Sequence, residues 1–326
     1  MRRREFFVLL GGSVIASPFT AHAQPQLPVV GFLNSGAPVP YAAQVDAFRA
    51  GLADQGFVEG RNVAIEFRWA ENQIDRLPAM ATELVAKNVA MIASSGGELP
   101  LLAARGATKT IPIVATMGGD PVAAGHIVSL ARPGGNVTGI SFLTVDLMSK
   151  RVDLLLEMAP RATGIALLVN PRSPQTETVA RLVGATAATK SKNVVVLPAA
   201  TAAEIEAALS ALDRTRADTL VVQADPFFVN QREQLAELTL RLRLAAIHEA
   251  RAFVAAGGLA SYGADLLDVY RLTGQTSGKI LRGAKPSDLA VQQSVKFEMA
   301  LNLKTAKTLG RTIPPLVLAQ ADEVIE

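Results

Sequence analysis

Polar and small residues recur at the points where predicted buried strands end, and this pattern indicates a ligand-binding site. Glycines let backbone N–H groups approach a ligand closely, and a helix N-terminus beside them favours a carboxylate or another anion. Asp225 or Glu249 can bind an ammonium group, and Phe227 or Tyr262 can cover an apolar part of a ligand. The candidate ligand-binding residues are Asn34, Ser35, Gly36, Ser95, Gly96, Gly97, Gly119, Asp120, Asn170, Asp225, Phe227, Glu249, Arg251 and Tyr262.

Each of these segments, taken alone, also fits an ordinary turn or a helix cap. Their number, and their expected position at the same sheet edges, favour a pocket.

The sequence offers little for catalysis or for metal binding. It contains no cysteine and three histidines, His22, His126 and His248, so a zinc site with three or four such ligands is not indicated. Neither a G-x-S-x-G nor a G-x-G-x-x-G motif is present. The segment 274–280 resembles a phosphate-binding loop but is one residue short and lies within a predicted helix. We therefore expect no catalytic residue, no metal and no cofactor.

Strand-like and helix-like segments alternate along the chain, which predicts an α/β fold of two doubly wound parallel-sheet lobes. The strands are nearly continuous apolar runs, which is typical of sheets buried on both faces. In such sheets a ligand lies beyond the carboxyl ends of the strands. Asp120 followed by Pro121 predicts a further helix start, and residues 291–297 predict one late strand.

The first 23 residues have the order of a secretory signal peptide: Arg2 to Arg4, an apolar stretch and Ala21-His22-Ala23. The arginines also approximate a twin-arginine signal, so both export routes remain open. No cysteine is available for a lipid anchor. Cleavage after Ala23 would remove three arginines and one glutamate and lower the net charge from +3 to +1. A nearly balanced charge argues against nucleic-acid binding, and we expect a periplasmic protein.

Several motifs in order resemble the ABC transporter substrate-binding family related to tryptophan/tyrosine-binding lipoproteins, from about Leu27 onward. They are Gly31-Phe-Leu-Asn-Ser-Gly36, Ala53-Asp-Gln-Gly-Phe-Val-Glu-Gly60, Gly118-Gly-Asp-Pro121, Arg132-Pro-Gly-Gly-Asn-Val-Thr-Gly139, Ala224-Asp-Pro-Phe-Phe228, Phe253-Val-Ala-Ala-Gly-Gly258 and Asn302-Leu-Lys-Thr-Ala306.

The resemblance implies a type I periplasmic-binding fold with three hinge crossovers, near 142–144, 261–263 and 292–295. The implied N-terminal lobe comprises 27–142 plus 263–290, and the C-terminal lobe comprises 143–260 plus 291–326. The pocket residues that match the family best are Ser35, Ser95, Asp120, Asn170 and Asp225. His248-Glu249-Ala250 stands where relatives often carry an aromatic-Pro-aromatic run, which leaves an aromatic amino-acid ligand in question.

The function implied by the resemblance is that of the solute-binding component of an ABC-type uptake system. Such a protein captures a small polar or amino-acid-like solute and delivers it to an ABC permease in the inner membrane, as a monomer and without catalysis. One alternative is a small-molecule enzyme with twin wound domains acting on a sugar or nucleotide-like substrate, for which His248, Asp225 and Glu249 are the available groups. A lactose-repressor-like regulator would need an N-terminal helix-turn-helix, where this chain has the leader.

Overall fold

Two mostly parallel sheets, each with helices on both faces, form the protein and confirm the predicted α/β fold. The structure is a computed structural model that describes residues 27–214 and 217–326. The predicted signal peptide, 1–23, lies outside the described residues. Among the helices described, none is both long and apolar enough to span a membrane.

The first sheet has six strands, and every neighbouring pair in it is parallel. Its strand order is β11-β5-β4-β3-β1-β2, where the strands are β1 (Val29–Asn34), β2 (Ala64–Trp69), β3 (Met91–Ser95), β4 (Ile113–Met117), β5 (Val137–Ser141) and β11 (Gln292–Gln293).

The second sheet has seven strands, and only β10 and β12 pair in antiparallel fashion. Its strand order is β13-β12-β10-β9-β8-β6-β7, where the strands are β6 (Gly164–Val169), β7 (Asn193–Pro198), β8 (Thr219–Val222), β9 (Ala245–His248), β10 (Ala260–Ala264), β12 (Phe297–Asn302) and β13 (Glu323–Ile325).

Helices cover both faces of each sheet because successive strand residues point to opposite sides and both sides are apolar. The helices are α1 (Ala42–Asp54), α2 (Leu77–Ala86), α3 (Glu98–Ala107), α4 (Leu147–Met158), α5 (Thr176–Thr189), α6 (Ala202–Ser210), α7 (Pro226–Asn230), α8 (Arg232–Arg241), α9 (Arg251–Ala255), α10 (Leu266–Leu281), α11 (Leu303–Thr308) and α12 (Pro315–Leu318). On the first sheet, α1 and α10 share one core and α2 and α3 the other. On the second sheet, α4 and α5 cover one face and α6 to α9 the other.

The chain passes between the two sheets three times: after β5, between β10 and α10, and between β11 and β12. The single strand predicted over 291–297 is wrong. It is replaced by β11 in the first sheet and β12 in the second, because residues 294–296 cross from one sheet to the other. The second sheet includes β10 up to Ala264, and the first sheet includes β11 up to Gln293.

The helix expected to start at Asp120 does not form. Asp120 Oδ1 accepts the backbone N–H groups of Val122 and Ala123 at 2.8 and 3.2 Å, as a helix-capping residue would. Residues 121–125 nevertheless form turns, since Gly125 takes a positive φ of 68° and directs the chain elsewhere. Asp120 therefore caps a turn, and the residues that follow do not continue it as a helix.

Candidate ligand-binding site

A cavity lies between the two sheets, where the carboxyl ends of their strands face each other. The first sheet contributes residues that follow β1, β3, β4 and β5, and the second contributes residues that follow β6, β7, β8 and β9. Helix α10 adds Leu266 and Tyr270. This location is the one expected for ligands of open α/β sheets.

Hydrogen bonds among buried side chains fix the wall formed by the first sheet. Asn34 Nδ2 donates to Ser95 Oγ at 2.9 Å, and the Ser35 hydroxyl donates to the Gly96 carbonyl. The Tyr270 hydroxyl is hydrogen-bonded to the side chains of both Ser95 and Asn34, while burial raises the pKa of this phenol far above its usual value. Tyr270 is therefore neutral, and α10 contributes a polar group to a wall built mainly from strand ends.

Aromatic rings add an apolar part to the cavity. The Tyr41 ring lies with its centroid 6.0 Å from Trp69 and 6.3 Å from Tyr270, and burial raises the Tyr41 pKa well above its usual value. Phe142 and Phe227 line the cavity from the first crossover and from α7. The cavity thus combines neutral phenols and apolar rings with the polar strand ends.

Asp225 organises the facing wall of the second sheet. Its Oδ1 accepts the Phe227 backbone N–H at 2.9 Å, which caps α7, and the Asn170 side-chain amide at 3.0 Å. The Asn170 backbone N–H in turn donates to Gln223 Oε1 at 2.9 Å. Burial raises the pKa of Asp225, while the hydrogen bonds from Asn170, Phe227 and Ser173 oppose that shift.

Glu249, which follows β9, faces the first crossover. Its Oε2 accepts the Thr144 hydroxyl at 3.0 Å. Burial raises the Glu249 pKa, and the neighbouring Asp225 adds to this; Arg151 and the Thr144 bond lower it. Arg151 is fully buried, and burial lowers its pKa to about 10, so it remains charged at neutral pH.

Glu98, at the start of α3, is a third carboxylate in the cavity wall. Its Oε1 lies 2.7 Å from His126 Nε2, and His126 Nδ1 lies 2.9 Å from Arg105 Nη1. A guanidinium only donates, so Nδ1 accepts and Nε2 carries the proton that is donated to Glu98. A smaller cavity beside this group is lined by Gly119, Asp120 and Gln175, among others.

At the rim of the cavity, residues of the two lobes contact each other. Asn230 Nδ2, at the end of α7, donates to Asn72 Oδ1 on the first lobe at 2.7 Å. A methyl group added at Gly97 would lie 3.2 Å from the Pro226 ring. The lobes are therefore closed over the cavity.

Most of the residues predicted for ligand binding gather at this cavity. Those that line it are Ser35, Gly96, Gly97, Asn170, Asp225, Phe227 and Glu249. Asn34, Gly36 and Ser95 lie behind the wall, where Gly36 N–H donates to Asn34 Oδ1 at 2.6 Å, and Gly119 and Asp120 line the smaller cavity.

Arg251 and Tyr262 do not line the cavity. Arg251 begins α9 and is exposed, with its Nη2 2.8 Å from Glu323 Oε1. The Tyr262 ring stacks on Phe297 at a centroid distance of 6.4 Å. Arg251 follows β9 and Tyr262 lies within β10, and neither side chain lines the cavity.

The wall also contains residues that were not predicted, among them Tyr41, Phe142, Thr144 and Tyr270. Tyr41 and Tyr270 lie on helices, so the expectation that a ligand lies beyond the carboxyl ends of the strands does not indicate them. Phe142 and Thr144 were identified as hinge residues, so their position at a crossover was the available signal. Arg151 lies on α4, where the position of strand ends gives no signal either.

Known proteins resemble this chain over most of its length. The family model for "ABC transporter substrate binding protein" matches residues 39–325. The tyrosine-binding protein of Clostridioides difficile (strain R20291) is 28% identical over 263 residues, which are 80% of this chain and 75% of that protein. A conserved domain protein from Vibrio cholerae has a TM-score of 0.85 at 26% identity, with 92% of this chain and all of that chain covered.

Two further solved structures cover the same share of this chain at similar identity. The ABC domain from Streptococcus pneumonia in complex with L-Trp has a TM-score of 0.83 at 25% identity over 92% of this chain and 100% of that chain. The ligand-free, open structure of CD0873 from Clostridium difficile has a TM-score of 0.65 at 26% identity over 92% and 99%. At nearly equal identity and coverage, the chain therefore superposes more closely on the L-Trp complex than on the structure described as open. With its fold, its interlobe cavity and the match over residues 39–325, the chain belongs to the ABC transporter substrate-binding protein family.

Proposed function

We propose that the chain captures a free amino acid between its two lobes in the periplasm and delivers it unchanged to an ABC permease in the inner membrane. The observation that carries the proposal is the closed interlobe cavity, whose wall joins the buried carboxylate of Asp225 and the partly buried carboxylate of Glu249 to the aromatic residues Tyr41, Phe142 and Phe227. An α-amino acid offers both complementary parts, an ammonium group and a side chain.

The ligand carboxylate has a matching place on the first lobe. Gly96 and Gly97 line the cavity immediately before α3, with φ angles of 77° and 88°. Without side chains, their backbone N–H groups are open to an anion at the positive end of the helix. Two relatives, a tyrosine-binding protein and a protein solved in complex with L-Trp, support an amino acid with a large side chain.

Closure of the two lobes would hold the ligand, and their opening would release it. Each lobe provides part of the wall, so a ligand that bridges the two favours the closed arrangement by binding it more tightly than the open one. The contact between Asn72 and Asn230 then marks the closed face that a permease would recognise. The predicted signal peptide at 1–23 supports export to the periplasm.

The enzyme alternative receives less support from the site. His248, the candidate base, is fully buried, does not line the cavity, and has its Nδ1 occupied by the Ala250 N–H at 3.0 Å. Burial and the nearby Arg151 lower its pKa to about 3, so it is neutral at physiological pH.

Binding to the purified protein tests the proposal. Thermal shift against the twenty amino acids, sugars and nucleosides, followed by titration calorimetry, should identify an amino acid with a dissociation constant of about 1 μM or below. Mass spectrometry of the released ligand should show it unaltered. Binding of sugars alone, or conversion of the ligand, would refute the proposal.

A further inference from the structure

The three carboxylates of the cavity wall differ in how fully their oxygens are already used. Glu98 is engaged by His126, and Asp225 caps α7 and accepts further hydrogen bonds. Within the described part of the chain, Glu249 accepts one hydrogen bond, from the Thr144 hydroxyl to Oε2. Asp225 therefore has the least capacity left for a ligand. Glu98 also accepts one bond, but from an imidazole that contacts Arg105, whereas Glu249 is held by a neutral hydroxyl and remains free to pair with a ligand cation.

A fully buried arginine, Arg151, is linked to this carboxylate through Thr144. Arg151 Nη2 lies 3.1 Å from Thr144 Oγ1, and no carboxylate of the described residues lies within 4.0 Å of the guanidinium. Since arginine only donates, Thr144 accepts from Arg151 and gives its own proton to Glu249. The cation thus polarises the bond that holds Glu249.

The same arginine ties two of the three crossovers together. Arg151 Nη1 donates to the Thr144 carbonyl at 3.3 Å, in the segment after β5. Its Nε donates to the Tyr262 carbonyl at 2.6 Å, in β10 just before the second crossover. Leu143, next to Thr144, has a positive φ of 51°, an uncommon conformation for a branched residue. The position of Glu249 is therefore set from the hinge.

We propose that Glu249 is the counter-ion of the ligand's ammonium group, and that Thr144 and Arg151 are positioning residues that hold its carboxylate at the cavity wall from the hinge. This inference deepens the proposed function and rests on it. A ligand without an ammonium group would leave a buried carboxylate uncompensated in the closed form, which is costly. The site thus selects amino acids over their des-amino analogues.

Binding of an amino acid should change the protonation of Glu249. The charged and titratable groups near Glu249 are Asp225, Arg151, Tyr41 and Tyr270. Burial raises the Glu249 pKa in the ligand-free protein, and an ammonium group beside it would lower that pKa. Binding of the amino acid should then release a proton, and affinity should rise with pH as the ligand-free Glu249 ionises.

Titration calorimetry with matched ligands tests the inference. The probes are L-tyrosine and L-tryptophan with 3-(4-hydroxyphenyl)propanoate and 3-indolepropanoate, which lack only the ammonium group. We expect the wild-type protein to prefer the amino acid by about 100-fold, as for a hydrogen-bonded charge pair. Glu249→Gln should weaken amino-acid binding by about 10- to 100-fold, leave binding of the analogues as strong or stronger, and abolish the rise of affinity with pH.

Two further variants separate positioning from a merely structural role. Thr144→Val should reduce the preference for the ammonium group, and Thr144→Ser, which keeps the hydroxyl, should restore it. Arg251→Gln removes an exposed charge two residues from Glu249 and should change nothing. Circular dichroism and melting temperature establish that each variant is folded.

The outcomes distinguish the two proposals. If wild-type protein binds amino acids and Glu249→Gln keeps the same preference, the role of Glu249 is wrong and the proposed function stands. If Thr144→Ser behaves as Thr144→Val does, the positioning role of Thr144 is wrong. If the wild-type protein binds no amino acid at all, both proposals are wrong.

Discussion

At the scale of single residues, the site is defined by ionisable groups that burial has moved away from their usual behaviour. Glu249 and Asp225 both have raised pKa values in the ligand-free protein, with burial as the largest cause. Arg151 remains charged because its pKa falls only to about 10. The phenols of Tyr41 and Tyr270 stay neutral. An ammonium group placed beside these carboxyls would favour their ionised forms and lower their pKa values.

These raised pKa values predict a pH-dependent stability. A carboxyl whose pKa is raised in the folded state stabilises the protein fully below its unfolded value, near 4, and loses that contribution as pH rises through the folded value. The melting temperature of ligand-free Glu249→Gln should therefore fall less than that of the wild type between pH 4.5 and 7.5. Scanning fluorimetry across this range provides the measurement. Parallel pH profiles for the two proteins would contradict a raised Glu249 pKa.

At the scale of elements, the first lobe depends on an unusually close approach of α1 and α10. A methyl group added at Gly274 in α10 would lie 2.1 Å from the Phe48 carbonyl oxygen, and one at Gly51 in α1 would lie 2.0 Å from the Arg271 carbonyl oxygen. These contacts involve backbone atoms, which cannot move aside cheaply. The close packing brings the Tyr270 hydroxyl into the wall beside Ser95.

Gly274→Ala should therefore destabilise the protein, although alanine is the better helix former. Overpacking costs about 1–3 kcal/mol, against a gain of up to about 1 kcal/mol from helix propensity. Gly184→Ala in α5 is the matched control, since nothing lies within 4 Å of its added methyl group. Urea denaturation should show a loss of stability for Gly274→Ala and none for Gly184→Ala. Equal stability of both variants would rule out the close helix contact.

At the scale of the whole molecule, the two lobes are closed over an interlobe cavity. The Asn72–Asn230 hydrogen bond joins residues 158 positions apart in the sequence. A bond that exists only in the closed form contributes to affinity without contributing to the stability of either lobe.

Asn230→Ala should accordingly weaken ligand binding by about 2- to 10-fold, the usual net contribution of one hydrogen bond. The loss should appear as faster dissociation in stopped-flow measurements, while the melting temperature without ligand stays the same. A double-mutant cycle with Asn72→Ala isolates the pair. Additive effects of the two substitutions would show that the bond does not stabilise the closed form.

The sequence by itself was sufficient for the fold and for the general location of the site. Alternation of apolar strands with amphipathic helices determined two parallel sheets, and strand ends rich in glycine, serine and aspartate indicated the cavity edge. Ser35, Gly96, Asn170, Asp225 and Glu249 follow from this rule because parallel strands bring their carboxyl ends together.

The tertiary structure decided which of these residues reach the cavity and what assists them. Side-chain direction turned Arg251 and Tyr262 away, and helix packing brought in Tyr270, which no strand-end rule contains. The position of Arg151 behind Thr144 and Glu249 depends on crossovers far apart in sequence. Local patterns follow from the sequence because they arise from near neighbours along the chain, whereas contacts across a hinge arise from the three-dimensional path that joins the lobes.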